Sequence, residues 1–203
     1  VFKIVTAAAA LEEHATHEDE VIFCENGKYR VANHILGDAH PKGNLTFRQV
    51  IEQSSNIGTV KIAQRLGPQK VYDYAHRFRF GLRTGIGMTG EVPGLLKPPA
   101  VWSKTSIGAI PIGQEVTVTS VQLATAISAI ANDGVMMRPY FIKAIQRPDG
   151  AVVTEGRPHT LGRVVHPETA KRLRAILQGV VEQGTATQAR MKDIRIYQII
   201  SIM

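Results

Sequence analysis

The sequence is organised around one short polar stretch, Gln53-Ser54-Ser55-Asn56-Ile57-Gly58. Residues 45–52 precede it, with Thr46 as a helix N-cap and apolar side chains at helical spacing. Residues 60–66 follow it and continue a helical period that ends at Gly67, before Pro68. The polar stretch is therefore predicted to connect two buried helices. Its hydroxyl and carboxamide groups either cap those helices or serve a binding or catalytic site.

The amino terminus carries a second unusual feature, a lysine near the start of an apolar helix. Residues 1–12 are rich in alanine and have few polar side chains before Glu12, which predicts a helix. The amine of Lys3 either extends to solvent, or is held in a partly desolvated pocket. In such a pocket its pKa falls and the neutral amine can serve as a base.

These residues resemble the transpeptidase domain of a class B penicillin-binding protein, of the septal or elongation kind. That family carries Ser-x-x-Lys at the start of a helix, then Ser-x-Asn, then Lys-Thr-Gly or Lys-Ser-Gly. Lys3 matches the lysine of the first motif, and Ser54 and Asn56 match the second. The resemblance implies a nucleophilic serine immediately before Val1, which is not in this chain.

Further segments resemble the same family in the same order, from residue 1 to about residue 190. They are residues 38–46, 78–86, 90–96, 102, 106–108, 112–114, 118–124, 129–134 and 138–139. Collinear similarity of this extent is more specific than any single motif.

The resemblance implies an α+β fold, the penicillin-binding protein and serine β-lactamase-like transpeptidase fold. In that fold helices cover both faces of a five-stranded antiparallel sheet. We expect this chain to hold mostly the helical subdomain, which supplies Ser-x-Asn, with short hairpins. Residues 1–203 would form a partial transpeptidase (penicillin-binding) domain, lacking the nucleophilic serine before residue 1 and the Lys-Thr-Gly strand. That strand is expected near residue 197, and no such tripeptide occurs in the chain.

The implied function is peptidoglycan cross-linking by a serine-type D,D-transpeptidase that needs no cofactor or metal. In this family the serine attacks the penultimate D-alanine of a stem peptide, and the acyl group then passes to a neighbouring amine. Lys3 would be the general base, Ser54 would relay a proton to the leaving amine and contact substrate, and Asn56 would hold the substrate amide and orient Lys3. The chain as written is expected neither to form a penicillin adduct nor to cross-link peptidoglycan.

The partners implied by the resemblance are stem peptides ending in D-Ala-D-Ala, β-lactam antibiotics and, through a longer parent chain, other cell-wall synthesis proteins. The implied location is the cell envelope, on the extracytoplasmic side of the inner membrane, with the anchor outside this chain. Two alternatives stay open. A serine β-lactamase or β-lactam sensor shares the motifs, and a non-catalytic interaction module of the same fold would fit the missing serine.

Composition narrows the function classes further. The formal net charge of +7 could indicate a nucleic-acid partner, but the basic residues are dispersed and no such partner is predicted. Cys24 is the single cysteine, which excludes an internal disulfide. His14 and His17 lie among carboxylates at a spacing typical of no metal site, so residues 12–20 are predicted to be a solvated surface. No stretch approaches the apolar length of a membrane span.

Local patterns predict the remaining elements. Asn26-Gly27 predicts a hairpin that joins residues 21–24 to 28–31. Residues 148–150 predict a second hairpin, joining 140–146 to 151–154. Residues 80–114 are predicted to wrap the surface with little regular structure. Other expected elements are helices over 68–79, after Thr119 and over 166–184, of which the one after Thr119 should be the most buried, and a strand from about residue 194.

Overall fold

The computed structural model describes residues 2–191. Its helices are α1 (Phe2–Glu12), α2 (Phe47–Glu52), α3 (Asn56–Arg77), α4 (Ser106–Ala109), α5 (Ser120–Ala131) and α6 (Pro167–Glu182). Its strands are β1 (Val21–Phe23), β2 (Lys28–Val31), β3 (His34–Gly37), β4 (Asn44–Thr46), β5 (Val135–Met137), β6 (Ala144–Gln146), β7 (Val152–Glu155) and β8 (Thr160–Arg163). This combination of helices with short antiparallel strands is the predicted α+β fold.

Helix α1 lies in the core and packs against α3 and α6. Nine of its eleven residues are buried, because its alanine side chains let neighbouring backbones approach closely on several sides. The prediction that the helix after Thr119 is the most buried was wrong. That helix, α5, buries five of its twelve residues, since one of its faces is exposed within residues 2–191.

The two helices that flank the polar stretch form as predicted. Thr46 caps α2 in a capping box with Gln49, in which each side chain bonds to the other residue's backbone N–H. Helix α3 contains a break at Gly67, where φ is 80° and ψ is 161°. A glycine adopts this conformation without the steric cost of a Cβ, and Pro68 then begins the second helical half. The predicted helix over 68–79 is this second half, which ends at Arg77.

The predicted hairpin at Asn26-Gly27 was wrong. Strand β1 instead pairs with β4, and β2 pairs with β3 across a turn at residues 32–33. Glu25, Asn26 and Gly27 all have positive φ, at 50°, 49° and 90°. Three consecutive left-handed residues turn the chain away from the two-residue geometry that a tight hairpin needs, so β1 and β2 diverge to different partners.

The carboxyl-terminal half follows the predictions more closely. Strands β6 and β7 form the hairpin predicted around residues 148–150, in which the Asp149 carboxylate accepts the backbone N–H of Ala151 at 2.9 Å. Strand β5 pairs with β8. Residues 80–114 are mostly irregular; they contain α4, two short 3₁₀ helices and a single antiparallel bridge from Leu95 to Thr117. The strand predicted from about residue 194 lies outside the described residues. Among residues 2–191, no helix combines the length and apolar character that crossing a membrane requires.

Candidate active site

The first turn of α1 and the polar stretch between α2 and α3 meet through Lys3 and Ser54. The Lys3 amine donates to the Ser54 backbone carbonyl at 2.5 Å and to the Ser54 hydroxyl at 2.9 Å. Ser54 is held with φ at 57°, in the left-handed region that few non-glycine residues occupy. Such a conformation costs on the order of 1 kcal/mol or more and is found disproportionately at functional sites. The turn presents both Ser54 oxygens to the one amine.

Desolvation alters the acid–base behaviour of Lys3. Burial of the amine lowers its pKa from 10.5 to about 8, and the negative charge of Asp38 opposes part of that fall. The sequence leaves open whether the Lys3 amine extends to solvent or lies in a partly desolvated pocket. The structure has the pocket, in which the amine contacts Ser54. A lysine with a pKa near 8 has an appreciable neutral fraction at physiological pH and can accept a proton.

The neighbouring serine has a structural role. Ser55 is the N-cap of α3, and its hydroxyl accepts the backbone N–H of Gly58 at 3.0 Å. The same hydroxyl donates to Asp38 at 2.7 Å. Helix capping therefore accounts for Ser55, whereas the Ser54 side chain points to Lys3.

Asp38 organises this turn and was given no role by sequence reasoning. Its carboxylate accepts the backbone N–H groups of Asn56 at 2.5 Å and Ile57 at 3.2 Å, as well as the Ser55 hydroxyl. A negative charge at a helix start is favourable, because it satisfies unpaired N–H groups and opposes the helix dipole. The sequence signal for a role of Asp38 was its position at the start of the family-like segment 38–46. Its contact with residues 55–57 could not be predicted from the sequence, because no local periodicity connects residues so far apart.

Asn56 lies at the first position of α3, beside β3. Its side-chain amide donates to the backbone carbonyl of Gly37 at 2.8 Å, which ties the turn to the end of that strand. Within residues 2–191 no hydrogen bond joins Asn56 to Lys3. The structure therefore brings Lys3 and Ser54 into contact and places Asn56 two residues further along the same turn, while its orienting effect on Lys3 stays a prediction.

Glu52, the last residue of α2, fixes the polar turn against α6. Its side chain is buried. Among the described residues Oε1 accepts no hydrogen bond and lies 3.8 Å from the Arg48 guanidinium, and Oε2 is 3.3 Å from the Gln183 amide. Burial raises the pKa of this carboxyl. Gly179 leaves the space that the carboxylate fills, because an added Cβ there would lie 2.0 Å from Glu52 Oε1. The Glu52 carbonyl also accepts the N–H of Thr185 at 3.1 Å, so the turn is fixed to the segment after α6.

Residues 12–20 are only partly the solvated surface that was predicted. His14, His17 and Asp19 are exposed, but four carboxylates in this stretch contact basic side chains of other elements. Glu13–Lys70, Glu18–Arg172 and Glu20–Arg65 are ion pairs at 2.5 to 2.6 Å, and Glu12 shares a hydrogen bond of 2.5 Å with His166 Nδ1. Within the part of the chain that the structure describes, no group of three or more potential ligands could hold a metal ion.

Comparison with known proteins shows the family of this chain. The chain matches the family described as "Penicillin binding protein transpeptidase domain" over residues 1–200. The penicillin-binding protein PbpB of Mycolicibacterium smegmatis is 40% identical over 205 residues, covering 97% of this chain and 31% of that protein. The apo crystal structure of penicillin binding protein 3 from Mycobacterium tuberculosis is similar with a TM-score of 0.87 and 38% identity, covering 94% of this chain and 44% of that one.

Two further similar structures are a complex with a β-lactam and a D,D-transpeptidase domain. The M. tuberculosis protein complexed with ampicillin is similar with a TM-score of 0.86 at 38% identity, over 94% of this chain and 44% of that one. The D,D-transpeptidase domain of a peptidoglycan glycosyltransferase from Eggerthella lenta gives a TM-score of 0.89 at 29% identity, over 96% of this chain and 50% of that one.

The chain therefore belongs to the penicillin-binding protein transpeptidase domain family, as the sequence predicted. It spans about a third of the length of the curated relative that it matches, 31%.

Proposed function

We propose that this chain forms part of a class B penicillin-binding protein that cross-links peptidoglycan as a D,D-transpeptidase. The observation that carries the proposal is the contact between the Lys3 amine and the Ser54 hydroxyl at 2.9 Å, in a chain of this family. The substrates would be stem peptides ending in D-Ala-D-Ala. The protein would act in the cell envelope, on the extracytoplasmic side of the inner membrane, with other cell-wall synthesis proteins as partners.

Lys3 is the proposed general base. A serine three residues before it would lie one helical turn away, within reach of its amine. With a pKa of about 8, roughly a tenth of the Lys3 amine is neutral at pH 7. That fraction accepts the serine proton as the hydroxyl attacks the substrate carbonyl, and an acyl-enzyme forms.

Ser54 is the proposed proton relay and Asn56 the proposed substrate contact. The Ser54 hydroxyl already shares a hydrogen bond with the Lys3 amine, so a proton taken by Lys3 can pass through Ser54 to the leaving D-alanine amine. Asn56 would turn its amide from the Gly37 carbonyl toward the substrate amide, or bind the substrate with its remaining hydrogen-bonding capacity. The second substrate's amine then attacks the acyl-enzyme and forms the cross-link.

Covalent capture of a β-lactam tests this proposal. The product of the native gene that encodes this chain is incubated with ampicillin, and the adduct is followed by intact-protein mass spectrometry. We expect a stable adduct, and we expect Lys3→Ala to slow acylation by at least about a hundredfold, the usual effect of losing a general base. Lys171→Ala, on an exposed position of α6, is the matched control and should react at the native rate.

The proposal fails if the native gene product forms no adduct, or if Lys3→Ala reacts as fast as Lys171→Ala. Unfolding midpoints of the variants separate a chemical loss from a folding defect. Release of D-alanine from a stem pentapeptide by the same protein then tests the natural reaction, and its absence in a protein that does take ampicillin would indicate a β-lactam sensor instead.

A further inference from the structure

A cleft lies between the carboxyl end of α3 and the β5–β8 pair. Its volume is about 210 Å³. Its polar lining comes from His76, Arg77, Arg79 and Arg163, and its apolar lining from Leu82, Met136, Leu161 and Val164. This cleft is separate from the candidate active site. Lys3 lies at the start of α1. Glu13 follows the other end of α1, about 15 Å away along the helix axis. Glu13 accepts a hydrogen bond from the Tyr74 hydroxyl, which lies near the cleft.

The arginines of the cleft have hydrogen-bonding capacity to spare. Arg163 donates to the backbone carbonyls of Asp133 at 2.6 Å and Val165 at 3.5 Å. Arg79 makes one long bond of 3.4 Å to the Arg83 carbonyl, and its Nε is buried with no partner among residues 2–191. Each guanidinium has five N–H donors, so several donors of Arg79 and Arg163 have no hydrogen-bond partner among the described residues.

The cationic groups of the cleft have no carboxylate in direct contact among the described residues, although the Arg77 guanidinium lies 4.5 Å from the centroid of the Tyr74 ring. Within the described residues, none of Arg77, Arg79 and Arg163 forms an ion pair with a carboxylate. The acids nearby have other partners: Asp133 pairs with Arg174 at 2.7 Å, and Glu13 pairs with Lys70 at 2.6 Å. Cations that line one cleft beside an apolar wall, without a carboxylate in direct contact, favour an anionic ligand, because the wall reduces the competing water.

The strand geometry keeps the cleft open. Met136 pairs with Gly162 and Met137 pairs with Thr160, so Leu161 is an extra residue in β8. This bulge turns the end of β8 beside the arginines. Gly162 has φ at 131°, and an added Cβ would meet no atom of the described residues within 4 Å. The position is therefore roomy, and no side chain from it enters the cleft.

We infer that this cleft binds a phosphoryl group. A carboxylate offers two oxygens and matches one guanidinium, whereas a phosphoryl group offers three or more acceptors and can engage several arginines at once. The apolar wall of Leu82, Met136, Leu161 and Val164 suits the carbon portion of a phosphate ester. The group can come from free phosphate or from the headgroup of an anionic phospholipid.

Titration of this chain with inorganic phosphate tests the inference, with chloride at matched ionic strength as the reference. Binding is followed by nitrogen-15 NMR of the arginine Nε–H groups. We expect saturable shifts at Arg79 and Arg163, and a higher unfolding midpoint in phosphate. Co-sedimentation with phosphatidylglycerol vesicles, against phosphatidylcholine vesicles, tests the lipid source.

Matched variants make the result specific. Arg163→Gln should weaken binding by about tenfold or more. Arg77→Gln should do the same, and because Arg77 is exposed this variant should fold normally even if Arg163→Gln does not. Arg157→Gln, on an exposed side chain after β7, should bind as the native chain does. Lys3→Ala should also leave binding unchanged, since this site does not depend on the proposed catalysis.

Each outcome of these experiments either supports or overturns the inference that the cleft binds a phosphoryl group. Phosphate binding that depends on Arg77 supports the inference with free phosphate as a source. Vesicle binding alone, with the same dependence, supports it with a lipid headgroup as the source. Absence of both, or equal weakening by Arg157→Gln and Arg77→Gln, would overturn the inference and leave only the diffuse attraction of a basic protein.

Discussion

At the scale of single residues, the two adjacent serines make different contacts: Ser55 caps α3, and Ser54 contacts Lys3. Ser55 has extended backbone angles, which aim its hydroxyl at the first turn of α3. Ser54 has a positive φ, which turns its carbonyl and hydroxyl toward Lys3. Asp38 holds the turn that contains both serines, because its carboxylate accepts hydrogen bonds from the Ser55 hydroxyl and from two backbone N–H groups of α3. The turn that brings Ser54 to Lys3 is therefore held by a carboxylate that forms no hydrogen bond to either of them among the described residues.

Asp38→Asn should lower the pKa of Lys3 below its native value of about 8. The negative charge of Asp38 raises that pKa, so its removal leaves desolvation less opposed. The asparagine oxygen can still accept N–H groups of α3, and we expect a loss of only about 1 kcal/mol in stability. NMR titration of the Lys3 side chain measures the pKa. Asp149→Asn, in an exposed turn, changes the net charge equally and should leave the titration unchanged; a native-like titration of Asp38→Asn would contradict the prediction.

At the scale of elements, the polar turn is held by the close approach of α2 and α3. Gly58 in α3 faces Val50 in α2, and a Cβ at residue 58 would lie 2.5 Å from Val50 Cγ2. Both residues are buried. The glycine is therefore required by the packing distance between the helices, and it lies in the same helical turn as Ser55 and Asn56.

Gly58→Ala should destabilise the fold by about 1 to 3 kcal/mol, the usual cost of forcing extra volume into a packed core. Val50→Ala should also be destabilising, because it leaves a cavity. In the double variant the new methyl group occupies the space that valine left, so its cost should be at least about 1 kcal/mol below the sum of the single costs. Urea unfolding measures all three.

Gly37→Ala is the control for this cycle, since its Cβ would meet nothing closer than 3.8 Å. It should change stability by less than about 0.5 kcal/mol. Additive costs at residues 50 and 58 would show that the two helices do not limit each other at this contact.

At the scale of the whole molecule, ion pairs fasten the segment after α1 to distant parts of the chain. Glu18 accepts two hydrogen bonds from Arg172 of α6, at 2.5 and 2.7 Å. Glu20 pairs with Arg65 and Glu13 with Lys70, both of α3. These contacts surround the carboxyl end of α1 and fix the packing of α3 and α6 around it.

Loss of the Glu18–Arg172 pair should make the stability of the protein less dependent on pH between about pH 4.5 and pH 2. Hydrogen bonds from Arg172 lower the pKa of Glu18 from 4.5 to about 2. The folded carboxylate is thus favoured over the unfolded one, and its stabilisation is present above pH 4.5 and lost as the pH falls toward 2. Because the pair is partly exposed, we expect Glu18→Gln to cost about 1 to 2 kcal/mol at pH 7 and much less near pH 2.

Urea unfolding of Glu18→Gln and of the native chain at pH 7 and pH 3 measures this difference. Glu155→Gln is the control, because its pair with Arg157 is 3.6 Å long and exposed, and it should cost little at either pH. A cost for Glu18→Gln that is the same at pH 7 and pH 3 would show that the pair does not stabilise the fold through its charge.

The sequence by itself determined the features that depend on neighbours along the chain. These are the helices with their caps at Thr46 and Thr119, the break at Gly67, and the hairpin at residues 148–150. The motif pattern also indicated the family and selected Lys3, Ser54 and Asn56, although the roles of these residues stay proposals. Local hydrogen bonds and fixed backbone preferences explain this success, because they act within a few residues.

Only the tertiary structure decided the features that join distant residues. These include the pairing of β1 with β4, the burial of α1, the bonds of Asp38 to residues 55–57, and the ion pairs of residues 12–20. The cleft of His76, Arg77, Arg79 and Arg163 is of the same kind. A strand selects its partner, and a charge its counter-ion, by their positions in the folded chain, where packing brings together groups that no local pattern connects.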